Sequence, residues 1–234
     1  MLPAVPLASL SFSSRVPNVV SRRRVDDNEE MRIASGALFA AILLLAGCSE
    51  APKTETAKTP QKPPEPVTGR QAFQNMFPSA RAWAIDAQPM LLRSIALSEV
   101  KSEKGRAGAW EGTFVSLSQH KSRTYTYSAV EAEGNLHKGV FAGQEEGWSG
   151  PHGQTQPFDI AAIRTDSDAA YETAAAKSED YIKKFPDKPV SYILEMTSRF
   201  PDLTWRVVWG DSVATSDYSV YVDASTGKFL EKAH

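Results

Sequence analysis

Apolar and polar residues alternate with different periods along this chain, and the period separates its segments. From Ile33 to Ala46, "IASGALFAAILLLA" is apolar or small throughout and carries no charge. From Ser49 to Val67, "SEAPKTETAKTPQKPPEPV" contains almost nothing apolar. Between Asp168 and Phe185, Tyr171, Ala174, Ala175, Ser178, Ile182 and Phe185 recur at helical spacing among charged residues. That spacing predicts one amphipathic helix, capped by Asp166 or Ser167 and stopped by Pro186. A less regular helix is expected over Thr68 to Ala87, broken by Pro78 and stopped by Pro89.

Past Pro189 the period drops to two. Val190, Tyr192, Leu194 and Met196 alternate with polar residues, as do Trp205, Val207 and Trp209, and then Tyr218, Val220 and Val222. These are strands. The "DASTG" that follows is a turn, with Asp223 placed to bond amides ahead of it and Gly227 free to take positive φ. Phe229 and Leu230 open a last strand. Runs of strands beside segregated helices indicate an α+β fold with antiparallel sheet.

The segment from Trp110, "WEGTFVSLSQHKSRTYTYSAVEAEGNLHK", aligns with that from Trp205, "WRVVWGDSVATSDYSVYVDASTGKFLEK". Trp110 matches Trp205, Phe114 matches Trp209, Glu131-Ala132 matches Asp223-Ala224, and Gly134 matches Gly227. Each copy follows a helical segment. The chain therefore divides into two helix-plus-sheet units, 68–150 and 166–234, with 151–165 as a Gly- and Pro-rich linker.

The apolar run at Ile33–Ala46 is too short for an ordinary membrane span of ~20 residues. It follows Arg32 and ends in small residues, which describes a secretory signal. Its end, Leu45-Ala46-Gly47-Cys48, resembles the lipobox of bacterial lipoproteins, and Cys48 is the sole cysteine. The resemblance implies a signal peptide over 31–47 that is removed, and a lipidated Cys48 (acyl chains such as palmitate) as the first mature residue. It also implies a home in the cell envelope, facing the periplasm or exterior. Ser49, in place of aspartate, favours the outer membrane under the same resemblance. A core helix with a buried cysteine is the competing reading. It is disfavoured because the run leads into a Pro/Lys/Thr tract rather than a folded segment. Residues 1–30 lack any periodic apolar pattern and are expected to be disordered or to lie upstream of the true start, Met31. Residues 48–67, with Pro52, Pro60, Pro63, Pro64 and Pro66, read as a tether reaching at most roughly 60 Å at ~3 Å per residue.

"DYSVYVDASTGKFLE", Asp217 to Glu231, with the helix and strand of "AAYETAAAKSEDYIKKFPDKPVSYILEM" before it, resembles a PepSY-type domain. The first unit fits more loosely, because "AVEAEGNLHK" has Glu131 where the pattern has Asp and lacks its Thr. The resemblance implies cystatin-like units, each with a helix across a curved antiparallel sheet. It also implies a binding or inhibitory role in the envelope, and it supplies no catalytic residue.

Composition narrows the chemistry. Net charge is −2, so no basic surface suggests nucleic acid. One cysteine excludes an intrachain disulfide and a Cys-rich metal site. His120, His137, His152 and His234 have no metal-ligand spacing, and no nucleophile elbow, P-loop or dinucleotide fingerprint occurs. The sequence therefore predicts a lipid-anchored, non-catalytic module without metal or cofactor, whose partners are the membrane, through Cys48, and a protein or peptide. An envelope hydrolase using an unrecognised site, and a structural accessory of an envelope assembly, are the competing functions. Trp110, Trp205, Trp209 and Tyr221 are the candidate binding residues. The tryptophans share the apolar phase of their strands, so packing beneath a helix is the alternative for them, whereas Tyr221 points the other way.

Overall fold

A computed structural model of the protein describes residues 63–134, 136–151, 155–210, 212–214 and 216–233. The expected disordered start, signal peptide, Cys48 and the tether up to residue 62 lie outside these residues, as do His152 and His234. In chain order the elements are β1 (Val67–Thr68), α1 (Gly69–Trp83), β2 (Gln88–Ile95), β3 (Arg106–Ala107), β4 (Ala109–Ser116), β5 (Lys121–Ser128) and β6 (Gly139–Gly147). There follow β7 (Thr155–Gln156), a 3-10 turn (Ile160–Ala162), α2 (Ser167–Ala176), α3 (Glu179–Lys184), β8 (Val190–Thr197), β9 (Thr204–Trp209), β10 (Tyr218–Asp223) and β11 (Phe229–Ala233).

The fold is mixed α+β. One antiparallel sheet runs in the order β11-β10-β9-β8-β2-β4-β5-β6, with β7 beside β8, while β1 and β3 form a separate ribbon. Each half of the chain contributes a helical segment followed by a four-stranded meander, and the meanders join edge to edge through β2 and β8. The segment expected as a linker carries β7 and the 3-10 turn, and Phe158 within it is buried, its N–H donating to Pro89 O at 2.9 Å.

α1 starts at a reciprocal capping box between Thr68 and Gln71 and buries Ala72, Phe73, Met76 and Ala80. It does not break at Pro78. Pro78 and Gln74, whose carbonyl loses its donor, are both exposed residues, so the lost bond falls on the solvent side of the helix. The second helix, expected as one piece, is divided between α2 and α3. Ser178 Oγ donates back to Ala174 O at 2.7 Å and accepts from Tyr218 Oη at 3.0 Å, so the hydroxyl competes with the helical ladder. The break lets Tyr181 stack on Tyr218 with centroids 4.1 Å apart.

The two halves repeat contacts as well as topology. Trp110 Nε1 donates to Val67 O and Trp205 Nε1 to Thr165 O, at 3.1 and 2.9 Å. Each carbonyl belongs to the residue just before the helix cap, Thr68 or Asp166. Ala129 N–H donates to Gly108 O and Ala224 N–H to Leu203 O, both at 2.9 Å. Ser128 Oγ accepts from Val130 N–H as Asp223 Oδ1 does from Ser225 N–H. The structural counterpart of Asp223-Ala224 is thus Ser128-Ala129, not Glu131-Ala132. The sequence alignment slipped because the first turn is longer before its positive-φ glycine. Gly134 and Gly227 have φ of 77° and 71°.

The helix N-termini meet at the join. Gly69 N–H donates to Ser167 Oγ at 2.7 Å, Arg70 N–H to Asp166 Oδ1 at 2.9 Å, and Ser167 Oγ donates to Gly105 O at 2.5 Å. Asp166 and Ser167 thereby satisfy end amides of α1 from the start of α2.

Candidate partner-binding face

Strand register assigns each side chain to a face. One unbroken row of paired positions crosses the sheet as Phe229–Val222–Trp205–Leu194–Leu92–Gly112–Tyr125–Ala142. Val222, Trp205, Leu194, Leu92 and Tyr125 belong to the core that also takes in Ala72, Met76 and Ala80 of α1 and Ala170 and Ala174 of α2, so this face lies under the helices. The neighbouring row lies on the opposite face, because successive strand residues point to opposite sides. It reads Glu231–Tyr221–Arg206–Ile193–Arg93–Glu111–Thr126–Phe141. No described helix packs on that side.

This helix-free row is chemically mixed. Arg93 Nη2 lies 2.7 Å from Glu111 Oε1, and Arg199 pairs with Glu231. Arg206 Nε donates to Ser219 Oγ at 3.1 Å, and its guanidinium stands 5.3 Å from the Tyr221 ring centroid. Phe141 is 48% exposed and the Arg93 side chain 53%. Glu195, two residues along β8 from Ile193, is held above the usual carboxylate range by burial, while nearby Arg206 acts in the opposite direction. It lines a void of about 10 Å³ with Thr197, Thr204 and Tyr221, too small for a substrate.

Larger cavities lie elsewhere. One of about 510 Å³ on the helix-free side is lined by Arg93, Ile95, Glu111, Ile193 and Val213. Another of about 470 Å³, lined by Lys101, Lys104, Tyr171, Lys188 and Val190, shares Ala96 and Ser191 with it. A third of about 370 Å³ lies between α1 and the 3-10 turn, against Phe73, Phe77, Ile160 and Ile163.

The candidate binding aromatics do not offer their rings to solvent. Trp110 and Trp205 are fully buried and Trp209 is 2% exposed, all on the core face. Trp110 and Trp205 meet edge to face at 6.3 Å, an arrangement that the quadrupoles of aromatic rings favour. Their assignment to a binding surface is therefore corrected: they hold the helices to the sheet. Tyr221 is on the helix-free face, but Phe200 covers it at 4.6 Å with Arg199 alongside, leaving it 8% exposed. Arg93, Glu111, Thr126 and Phe141 went unnoticed in the sequence, because only the pairing of β2 with β8 aligns them with the second half.

The polar clusters are surface structures. Tyr181 Oη donates to Asp217 Oδ1 at 2.7 Å and Lys188 Nζ approaches it at 2.8 Å; Lys188, then Tyr181, lower the Asp217 pKa to about 2. The Ser118 N–H and Ser116 hydroxyl do the same for Asp86, to about 2. His137 pairs with Glu131 and lies against the Phe141 ring. Asp166 caps α2, and Asp168 faces Arg106 at 3.5 Å. Among the described residues, no three His, Cys, Asp or Glu side chains gather as a metal site, and no helix is long and apolar enough to cross a membrane. Comparison of the chain with protein-family models, curated proteins and solved structures found no match.

Proposed function

We propose that this is a lipid-anchored envelope protein whose folded part is a non-catalytic protein- or peptide-binding, or inhibitory, module. Cys48 carries the lipid, the Pro-rich segment is the spacer, and the two helix-plus-meander halves are PepSY-like units fused through β2 and β8. The lipobox supports the anchor. The repeated indole-to-carbonyl bonds of Trp110 and Trp205 support the paired units.

The binding role rests on the helix-free face. The large aromatics of the core recur between halves, Trp110 with Trp205 and Phe114 with Trp209, while other core positions differ, as Ser94 and Leu194, and Gly112 and Val207, do. On the other face, register places Glu111 opposite Arg93 as it places Arg206 opposite Ile193, and Thr126 and Tyr221 occupy the next equivalent strands. Each equivalent pair there differs in chemistry, as Glu111/Arg206, Arg93/Ile193 and Thr126/Tyr221 do. The recurring aromatics follow from a shared fold, and the mixture of charged and apolar side chains on the helix-free face suits contact with one asymmetric partner.

Two measurements test this reading. Cys48→Ala should move the protein from the membrane to the soluble fraction, and unchanged membrane association would refute the anchor. A photo-crosslinker at Thr126 or Phe141 should capture a discrete protein partner in intact cells, while one at Gln74 or Glu172, on the helix side, should not. Equal capture from both sides, or none from either, would refute the binding face.

A further inference from the structure

At one end of the first half, the close of α1, the turn between β4 and β5 and the end of β6 come together, and they carry exposed apolar side chains. Ile85, just after α1, is 78% exposed, more than any other large apolar side chain among the described residues, and Leu117, in the β4–β5 turn, is 47% exposed. One carboxylate holds these two segments side by side: Asp86 Oδ1 accepts from Ser116 Oγ at 2.7 Å and Asp86 Oδ2 from Ser118 N–H at 2.8 Å. Trp83 and Trp148 stand half-buried beside them. Trp83 Nε1 donates to Glu145 Oε2 at 2.6 Å, and Trp148 N–H donates to His120 O at 2.8 Å. The polar groups of this tip are occupied from within. Gln119 N–H donates to Ser116 Oγ, Ala84 N–H to Ala80 O and Ala87 N–H to Ala84 O. Its charges are held too: Asp86 by the two serines, and Glu145 by Lys121 and Trp83. Arg81 lies back over the Phe77 ring, 5.9 Å from its centroid. Glu146, next along β6 and pointing to the other side of the sheet, is the acidic residue left over, which argues against an anionic surface as the target.

We infer that this tip is a membrane-docking foot that sets Ile85 and Leu117 into the interface of the bilayer holding the Cys48 lipid. The inference rests on the lipid anchor proposed above and adds a second membrane contact to it. Apolar side chains on a surface whose amides and charges are already satisfied leave water at little polar cost. Exposed aliphatic residues beside half-buried tryptophans match the chemistry of the bilayer interface, where indole rings sit at headgroup level. The chain outside the structure argues for this occupant as well. The tether joins the fold at Val67, next to the start of α1, and the 15 residues of α1 put the tip roughly 22 Å from that point at ~1.5 Å per residue. A tether with a reach of roughly 60 Å is long enough to turn back over that distance. Held within this radius of the bilayer, two side chains of low intrinsic affinity dock effectively, because the tether makes the second contact intramolecular. The tip lies where β4 meets β5 and where β6 ends, so docking stands these strands on the bilayer by their ends. The helix-free face then stays in water, open to a partner.

The test uses the lipidated full chain reconstituted on vesicles of phosphatidylcholine and phosphatidylethanolamine. With Cys48 carrying the lipid, Gln119→Cys, at an exposed position in the β4–β5 turn, supplies the sole free thiol and takes an environment-sensitive fluorophore. A nitroxide carried on the lipid should quench this dye and leave the same dye at Glu172→Cys, exposed on α2, unquenched. Ile85→Asp with Leu117→Asp should reduce quenching at position 119 to the level seen at 172, with an unchanged thermal melt because both side chains are exposed. Equal quenching at the two positions, or quenching that survives the double substitution, would overturn the proposal. So would quenching that appears only after solubilised envelope proteins are added, because a protein would then be the occupant. A chain that floats with the vesicles without quenching at position 119 would overturn the foot alone and leave the anchor standing. A chain that carries no lipid on Cys48 and does not float would overturn both.

Discussion

Ser167→Ala tests how the two halves are coupled. The Ser167 side chain is fully buried, and its hydroxyl is bonded on both sides: it accepts from Gly69 N–H at 2.7 Å and donates to Gly105 O at 2.5 Å. Alanine fills the same place and leaves both backbone groups without a partner, in a region packed too closely for water. A Cβ on Gly105 would come within 2.2 Å of Asp168 Cα. An unsatisfied buried backbone group costs about 1–3 kcal/mol. Two such groups, less some local relaxation, give an expected loss of about 2–4 kcal/mol, a large share of the ~5–15 kcal/mol typical of a folded domain. Urea unfolding followed by far-UV circular dichroism, with an unchanged slope, measures the loss. Amide exchange adds the directional test. Because the orphaned donor is at the start of α1, protection should fall at Gly69–Ala72 although the substitution is at the start of α2. Asp168→Ala is the control. It removes partly exposed contacts with Arg106 and with Ala169 N–H in the first turn of α2, and should change stability by no more than about 1 kcal/mol. A Ser167→Ala loss below about 0.5 kcal/mol, or lost protection confined to α2, would refute the cross-capping argument.

Two further outcomes follow from the same structure. Gly69→Ala should destabilise despite alanine's better helix propensity of up to ~1 kcal/mol, because its Cβ would stand 2.6 Å from Trp205 Cη2 and 3.2 Å from Trp110 Cη2; a thermal melt showing a raised Tm would contradict the close approach. Asp86 and Asp217 have pKa values lowered from 3.8 to about 2, so the stability they add is complete above pH ~4 and lost as pH falls towards 2; Asp86→Asn with Asp217→Asn should flatten the decline in urea-midpoint stability between pH 4 and 2, and an unchanged slope would refute the assignment.

Much of the second half could be read directly from residue order. The alternation at Tyr192–Leu194, Trp205–Trp209 and Tyr218–Val222 gave strands with the correct faces, since a half-buried strand must repeat every second residue. The Asp223–Gly227 turn was equally legible, because an aspartate and a positive-φ glycine are local requirements. The first half was harder. β2 begins at Gln88-Pro89 and shifts register before Leu91, and β6, with Gly139, Gly143 and Gly147, has no apolar alternation to reveal it. Pro78 suggested a break that its place on the solvent side of α1 made unnecessary, and Ser178 made one that the apolar spacing concealed.

The sequence by itself determined the α+β class, the alternation of the second-half strands and the phase its tryptophans share with the core, because all of these depend on period and residue type within a few positions. Only the tertiary structure decided that both halves share one sheet, that Asp166 and Ser167 cap the other helix, and that Arg93 lines up with Ile193. Those facts depend on which strand edges meet. Edge pairing is made by backbone groups that every residue carries, so the side-chain pattern of either half contains no record of it.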